Sequence, residues 1–292
     1  MMDDRRTEPA LRGLFDHAGM FPPAAKPLAG ALHDAARFAA ALRRPGLVGA
    51  DLVIAWKDWP GLDGAALRAA GFSGTCRVAV VGVPCAQGPA IAQALAARAA
   101  IPEAVQVVSL EVHCEGDLDA AALRATVAAA HGIPVFVEPR WPADRVRTHV
   151  GHVALVAKAC GAGLKVRCAG PTALDRPALA AAVRAAADAA IPFKATQGLH
   201  HPVPRPGFPH GFLGLLAALR LRQAEGPAFD DVEACLAESN PSAFDVRDGI
   251  TWHGHRVAAA RLAQLPAFAI GSCSLGEPDD DLMEAFGPAE PR

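Results

Sequence analysis

The stretch that decides the fold is VQVVSLEVHCEGDLDAAALRATVAAAHGIPVFVE, residues 105–138. Its first part, 105–113, is rich in β-branched residues and predicts a strand, and 133–138 predicts a second one. Between them, 118–131 carries alanine and leucine at helical spacing, which predicts a helix. A strand, a helix and a second strand in this order form the unit from which parallel sheets are built.

The same unit repeats along the chain. Further strands are predicted near 11–19 and at 52–56, 77–83, 163–168, 191–196 and 267–272. Helices are predicted between them at about 29–43, 62–70, 88–100, 143–160 and 174–190. Eight mostly apolar strands alternating with helices predict an α/β fold, a parallel sheet closed as a (β/α)8 TIM barrel. No G-x-G-x-x-G follows any strand, which weakens the dinucleotide-binding alternative.

The regular spacing breaks after residue 205. Two more helices are predicted within 210–224 and 229–239, and a hairpin within 243–257 around Asp248–Gly249. We interpret about 226–260 as an insertion between the seventh and eighth predicted strands. The whole chain, 1–292, is then expected to be a single barrel domain.

Composition narrows the class of protein. The chain is 52% hydrophobic, and its formal net charge of −2 gives no electrostatic basis for binding nucleic acid or a membrane surface. Seven scattered cysteines without a C-x-x-C pair argue against a disulfide framework and a structural zinc site. No secretory signal or membrane-spanning stretch is visible, so we expect a cytoplasmic protein with a small-molecule partner. A homo-oligomer is left open.

Polar side chains end or follow six of the predicted strands, at the end where TIM barrels place their chemistry. They include Asp16 and His17, Ser109, Glu111 and His113, Glu138, Lys165 and Arg167, Lys194 and Thr196 with His200 and His201, and Gly271, Ser272 and Ser274. Ser109, Glu111 and His113 alternate along one strand and therefore share a face. Plainer interpretations stay open: Glu138 as a solvated strand end, Lys165 and Arg167 paired with Glu111 and Glu138 in a structural layer of ion pairs, and His200 and His201 as polar residues of a surface loop.

Lys165 and Lys194 are the most informative members of this set. A protonated lysine is a poor nucleophile, but a neighbouring cation or an apolar pocket lowers its pKa and frees the amine. Lys165, Arg167 and Lys194 lie on consecutive predicted strands, so their charges are expected to crowd one another. The pattern therefore favours one activated amine that forms a Schiff base with a carbonyl substrate.

Three motifs resemble those of deoxyribose-phosphate aldolase and related class I aldolase barrels. They are LKVRCAG at 164–170, FKATQG at 193–198 and IGSCSL at 270–275. The resemblance implies a barrel fold and a lyase that forms or cleaves a C–C bond without a cofactor. It also implies that Lys165 is the Schiff-base residue, that Lys194 lowers its pKa, and that the backbone of Gly271–Ser274 cradles an anion.

The chain departs from that family's pattern at Arg167 and Cys168, which replace a serine–threonine pair, and at the histidines after the seventh strand. In addition, DHAGMFPPA at 16–24 and KATQGLHHP at 194–202 resemble stretches of a bacterial family of unknown activity. We expect Asp16, Glu111 and Glu138 to complete the catalytic set. Substrate binding is assigned to Arg167, Thr196, His200, His201, Gly271, Ser272 and Ser274, with a carbonyl or anionic substrate.

Two alternatives use the same barrel differently. His113, His200, His201, His210 and Glu138 could hold a divalent metal such as zinc, manganese or iron, which would make the protein a metal-dependent lyase, hydrolase or isomerase. Their spacing matches no metal-binding motif. A barrel that binds a ligand without catalysis is the third possibility, and it predicts no pH-dependent chemistry at the lysines.

Overall fold

The computed structural model describes residues 7–72, 74–97 and 104–288. These residues form eleven strands: β1 (Phe15–His17), β2 (Leu52–Ala55), β3 (Cys76–Pro84), β4 (Val105–Cys114), β5 (Val135–Pro139), β6 (Gly163–Arg167), β7 (Phe193–Thr196), β8 (Phe244–Asp245), β9 (Gly249–Trp252), β10 (His255–Ala258) and β11 (Phe268–Ser272). They also form ten α-helices: α1 (Leu28–Ala41), α2 (Gly64–Ala69), α3 (Gly88–Ala96), α4 (Ala120–Ala129), α5 (Ala143–Cys160), α6 (Arg176–Ala189), α7 (Phe212–Glu225), α8 (Val232–Ala237), α9 (Ala259–Leu262) and α10 (Gly276–Phe286).

Eight of the strands form one sheet in the order β1-β11-β7-β6-β5-β4-β3-β2, and all of its pairings are parallel. Each of these strands is followed by an α-helix, α1 to α7 and then α10. The predicted (β/α)8 barrel is therefore confirmed. The last part of the predicted helix 88–100, beyond residue 97, lies outside the described residues.

The sheet nearly closes between β1 and the segment before β2. Phe15 forms an isolated parallel bridge with Val48. Around it, Gly49 N–H donates to the Phe15 carbonyl at 2.7 Å, and His17 N–H donates to the Ala50 carbonyl at 3.0 Å. The first strand is shorter than predicted because the chain forms a 3-10 turn at Pro9–Leu11 before it enters the sheet.

Aspartate side chains start several of the outer helices. Asp63, Asp119 and Asp175 each accept a hydrogen bond from the backbone N–H three residues later, which satisfies a donor that the first turn leaves free. α5 ends at Gly161, whose φ of 78° is a left-handed conformation that glycine adopts without strain. Among the described helices, none combines the length and the apolar character that crossing a lipid bilayer requires.

The interior of the barrel is divided into two sectors. On the side of β1 to β3, small apolar residues pack together: Ala18, Ala50, Val53, Ala79 and Val81. On the side of β4 to β7, buried charged side chains enter the barrel instead: Glu111, Glu138, Lys165 and Lys194. The main hydrophobic core lies outside the sheet, between strands and helices, where residues such as Leu164, Val166 and Leu179 are fully or almost fully buried.

The segment predicted as an insertion contains α8 and a small antiparallel sheet of β8, β9 and β10. Its side chains Phe229, Val232 and Trp252 are buried in the same cluster as the main core. β9 and α9 pack against the turn at Pro9–Leu11, which leads into the N-terminal end of β1. The segment therefore lies toward the end of the barrel opposite the carboxyl ends of the strands.

The hairpin differs in detail from the prediction. The segment holds two turns and not one: β8 and β9 pair antiparallel across the predicted turn, at 247–248 just before Gly249. β9 and β10 pair across a second, two-residue turn at His253–Gly254. Both turn residues have positive φ, 43° and 87°, as a two-residue turn of type I′ requires. A third strand, β8, pairs with β9 on its other side.

Gly163→Ala is expected to lower the free energy of unfolding by about 1–3 kcal/mol, the usual cost of overpacking a core. A Cβ at Gly163 would lie 2.7 Å from both the Phe136 ring and the Pro192 carbonyl oxygen, and the backbone oxygen cannot move aside as a side chain can. Urea denaturation followed by circular dichroism measures the change.

Gly151→Ala is the matched control for that substitution. Gly151 lies inside α5, and nothing lies within 4 Å of the position its Cβ would take. Because alanine restricts the unfolded chain more than glycine, this variant is expected to gain about 0.5–1 kcal/mol. Equal effects of the two substitutions would contradict the packing described at Gly163.

Candidate active site

A cavity opens at the carboxyl ends of the barrel strands. Its empty volume is about 690 Å³, part of which is open to solvent. One wall is apolar and comes from Ala18, Phe21, Pro22, Val53 and Val81. The floor and the facing wall are charged and come from Glu111, Glu138, Arg140, Lys165, Arg167 and Lys194. The remaining lining is Gly82, Thr196, Gln197, His200, Gly271 and Cys273.

Glu111 lies at the centre of the charged group. One of its carboxylate oxygens accepts from Lys165 Nζ, and the other contacts Lys194 Nζ. All three side chains are buried, with exposed fractions of 2% for Glu111, 7% for Lys165 and 2% for Lys194. Removing such charges from water is costly unless they are paired, so their mutual contacts are what permit them inside the barrel.

Each lysine has a second carboxylate partner. Lys165 Nζ lies 3.1 Å from Glu138 Oε2, and Lys194 Nζ lies 2.5 Å from Asp16 Oδ2. Lys194 also lies 3.5 Å from the Ser109 hydroxyl. The five residues expected to be catalytic therefore form one continuous network. Asp16 differs from the other four in that it lies behind Lys194 and does not line the cavity.

Strand register explains this convergence. Lys165 on β6 lies directly beside Lys194 on β7. Two residues further along the same strands, Arg167 lies beside Thr196. Parallel neighbours in register project to the same side of the sheet, so both lysines enter the barrel at the same height. Gly163 precedes Lys165 by two residues on the same face, where the absence of a side chain leaves room for the Phe136 ring.

The network sets the charge of its members. Burial alone would raise the pKa of Glu111, but the charges of Lys165 and Lys194 outweigh it and hold that pKa below its ordinary value. Burial likewise opposes ionisation of Glu138, yet Lys165 and then Arg167 lower its pKa to about 2. For Lys194, burial is overcome by Asp16 and Glu111, which raise the pKa above that of an ordinary lysine.

These directions correct one part of the electrostatic argument made from the sequence. The expected crowding of cations is present, because Lys165, Arg167 and Lys194 are neighbours. It is balanced, however, by Glu111, Glu138 and Asp16, which lie among the cations. Lys194 is therefore a firmly protonated group in the resting protein.

Asp16 is fixed by the closure of the barrel. Its Oδ1 accepts from Ala50 N–H at 2.7 Å, while Oδ2 faces Lys194. A Cβ at Gly49 would lie 2.7 Å from Oδ1 and 2.6 Å from the Gly13 carbonyl, so the carboxylate depends on glycine at this position. Its neighbour His17 is fully buried beside Phe38.

Two arginines border the cavity above Glu138. Arg167 Nε donates to Glu138 Oε1, and Arg140 Nε lies 3.4 Å from the same oxygen. About a quarter of each side chain is exposed. No contact is found in the described residues for the two terminal nitrogens of Arg167, so these donors are free to meet a ligand.

The residues predicted to bind substrate at the ends of β7 and β11 separate into two groups. Thr196, His200 and Gly271 line the cavity, and a Cβ at Gly271 would lie 2.7 Å from Thr196 Oγ1. Ser272 and Ser274 do not line it. Ser272 Oγ instead donates to the Ser274 carbonyl at 2.5 Å, which uses the hydroxyl to hold the loop.

The residues of the metal alternative do not come together. His201 Nδ1 lies 2.7 Å from Asp281 Oδ2, and His210 donates to the Leu174 carbonyl at 2.8 Å. His113 is half-buried on β4, and of the five residues only Glu138 and His200 line the cavity. Over residues 7–72, 74–97 and 104–288, no group of three or more histidine, cysteine or carboxylate side chains is arranged to hold a metal ion.

Several lining residues were not predicted from the sequence. Arg140 follows Glu138 by two residues, so the rule that chemistry lies at strand ends points to it as well. Cys273 lies between two residues that were predicted, Ser272 and Ser274. No comparable signal exists for Gln197, whose φ of 65° turns the chain after β7, or for Phe21, which comes from the loop after β1.

Comparison with known proteins adds no assignment. The chain matches no protein-family model and no curated protein sequence. The geometry of the cavity and the chemistry of its side chains are therefore what indicate a function.

The low pKa of Glu138 predicts a pH dependence of stability. A carboxylate whose pKa falls from 4.5 to about 2 on folding adds stability above the unfolded value, and this is lost as the pH falls from about 4.5 to 2. The full contribution is about 3 kcal/mol, of which about 1.4 kcal/mol is lost by pH 3.5. Urea denaturation at pH 6 and pH 3.5 should therefore show a smaller loss in Glu138→Gln than in the unmodified protein.

Glu233→Gln is the control, since it removes one carboxylate that is exposed on α8. It should lose as much stability between the two pH values as the unmodified protein does. If Glu138→Gln shows that same loss, the carboxylate is not held by Lys165 and Arg167 in the way described.

Proposed function

We propose that the protein is an enzyme of the class I aldolase type, a lyase that forms or cleaves a C–C bond through a Schiff base between Lys165 and a carbonyl substrate. The observation that carries this proposal is the shared carboxylate of Glu111, which holds Lys165 and Lys194 side by side beneath a cavity. Its position at the carboxyl ends of barrel strands is where TIM-barrel enzymes place their reacting groups.

The surroundings of the two amines favour Lys165 as the nucleophile. Lys194 is held by Asp16, Glu111 and Ser109, and its raised pKa keeps it cationic. Lys165 is slightly more exposed than Lys194, and Glu138 divides its charge between Lys165 and the two arginines. A permanently charged Lys194 weakens the hold of Glu111 on the Lys165 proton, which helps to release the amine.

The chemistry begins when Lys165 gives up its proton and the free amine attacks the carbonyl carbon. The new C–N bond forms as the carbonyl electron pair moves to oxygen. That oxygen takes one proton from the nitrogen and a second from the group that accepted the Lys165 proton, and it leaves as water to give the iminium ion. In the cleavage direction, a carboxylate takes the proton of a hydroxyl two carbons away, the C–C bond breaks, and its electrons neutralise the iminium as an enamine. Protonation on carbon and hydrolysis then release the second product and the lysine.

The lining of the cavity suggests what the substrate carries. The free terminal nitrogens of Arg167, with Arg140 beside it, suit a carboxylate or a phosphate. Across the cavity, Phe21, Val53 and Val81 offer an apolar surface. A small anionic carbonyl compound with an apolar portion fits both walls at once.

Reduction with borohydride in the presence of a panel of small aldehydes and keto acids tests the proposal. We expect a covalent adduct in the intact mass, located by peptide mapping on Lys165, and its loss in Lys165→Met, which keeps the packing volume but removes the amine. Metal analysis of the same preparation completes the test. Stoichiometric metal with no adduct from any compound would overturn the Schiff-base mechanism.

Lys194→Met is expected to shift the activity toward higher pH without removing the adduct site. Without this cation, Glu111 faces Lys165 alone and holds its proton more strongly, so the amine becomes free only at higher pH. A displacement of one pH unit corresponds to about a tenfold loss at neutral pH, recovered above it. The measurement is the pH profile of turnover, with thermal denaturation to establish that the variant is folded.

The roles of the two lysines are exchanged if Lys194→Met is inactive at every pH while Lys165→Met keeps its activity. If both variants keep full activity, neither amine takes part, and the network has only a structural role.

A further inference from the structure

A second group of reactive side chains lies at the edge of the same cavity. Cys273 follows β11, His200 follows β7, and both line the cavity. The Cys273 sulfur lies 3.7 Å from His200 Nε2, and His200 Nδ1 lies 2.9 Å from Glu277 Oε2 in the first turn of α10. The three side chains thus follow one another in the order thiol, imidazole and carboxylate.

The chemistry of the partners assigns the proton positions. A carboxylate at neutral pH only accepts hydrogen bonds, so His200 Nδ1 carries the proton that points to Glu277. In the neutral ring, Nε2 is then the acceptor, and it faces the thiol of Cys273. This is the arrangement in which a histidine takes the proton of a nucleophile and a carboxylate orients the histidine.

Cys273 differs from the other cysteines of the chain. Six of the seven are buried, and Cys273 is partly exposed. Burial raises the pKa of Cys76, Cys114 and Cys168 to about 12, which makes them inert. His200 has a raised pKa, chiefly because of its hydrogen bond with Cys273 and against the effect of burial. His200 is therefore the group to which the Cys273 thiol can pass its proton.

The remaining neighbours of His200 do not replace these contacts. The rings of His201 and Phe208 lie 6.2 Å and 5.7 Å from it, measured between centroids. The nearby carboxylate of Asp281 is shared by His201 and Arg205. Glu277 is thus the carboxylate that contacts His200 directly.

We propose that Cys273, activated by His200 and oriented through Glu277, is a second nucleophile of this cavity that adds to the carbonyl carbon of an aldehyde. The site is independent of the imine at Lys165, because it uses different side chains and needs no amine. Its ligand class agrees with the carbonyl substrate proposed above, and an aldehyde needs no leaving group.

The addition step balances without any further reactant. The sulfur forms a bond to the carbonyl carbon as the S–H proton passes to His200 Nε2, and the carbonyl electron pair moves to oxygen. The imidazolium then returns the proton to that oxygen, which completes a hemithioacetal. Reversal of the same steps releases the aldehyde, so the adduct is a reversible resting state of a bound carbonyl compound.

Alkylation of the folded protein with iodoacetamide between pH 5 and pH 9 tests the activated thiol. We expect one equivalent on Cys273, reacting at pH 6 about tenfold faster than the thiol of glutathione, whose unperturbed behaviour is that of a free cysteine. His200→Gln should remove this advantage and move the midpoint of the rate toward about pH 8.5, and Cys273→Ser should abolish the labelling.

The matched control is His152→Gln, which changes a histidine exposed on α5 that does not line the cavity, and it should leave the alkylation rate unchanged. A thiol that reacts with a midpoint near pH 8.5 in the unmodified protein, or at a rate that His200→Gln does not alter, would overturn the proposal. So would a folded protein in which Cys273 is not alkylated at all.

The ligand class is tested by adding propanal during alkylation. Protection of Cys273 in both the unmodified protein and Lys165→Met supports direct addition to the thiol, whether or not borohydride traps an imine. Protection that disappears in Lys165→Met, or no protection in either protein, would overturn the aldehyde assignment. Failure of the lysine mechanism is read separately, from the absence of a borohydride adduct.

Discussion

The contact on which the site depends is the carboxylate of Glu111 held between two lysine amines. Three buried charges in a row would be prohibitive as separate groups, because each would lose its hydration without compensation. Sharing one carboxylate lets two amines enter the barrel from neighbouring strands at the same height. Asp16 and Glu138 then extend the same alternation of charge outward, toward the closure of the barrel on one side and the arginines on the other.

This arrangement requires a particular barrel interior. A TIM barrel usually fills its centre with branched apolar residues in layers. Here apolar residues fill the interior only on the side of β1 to β3, where Val53, Ala79 and Val81 pack together. On the side of β4 to β7, charged side chains take their place. The apolar sector keeps water from one side of the ion pairs, which strengthens them, and it also supplies one wall of the cavity.

The sequence supported the larger part of the fold because strand and helix patterns repeat eight times along it. It also placed Lys165, Lys194 and Glu111 at the right strand ends, since the side-chain alternation within a strand is regular. It could not show that Glu111 reaches both amines, because that depends on how β4 is positioned relative to β6 and β7 around the barrel. The sequence also could not show the role of His210. Histidine is a common metal ligand, but the ring nitrogen of His210 donates a hydrogen bond to the Leu174 carbonyl. The sequence did not point to the Cys273 side chain, because a single thiol does not indicate catalysis until the fold places a base such as His200 beside it.

The small sheet of β8, β9 and β10 lies toward the end of the barrel away from the cavity, and it shares the main core. Changes there act on how well the chain folds, while changes in the loops after the strands act on what it binds. The two kinds of change occupy separate surfaces of the same molecule. Substitutions in the loops after the strands can therefore change the ligand without lowering the stability of the fold. Substitutions in the small sheet can raise that stability, and another protein can be fused at His253–Gly254, without changing the side chains that line the cavity.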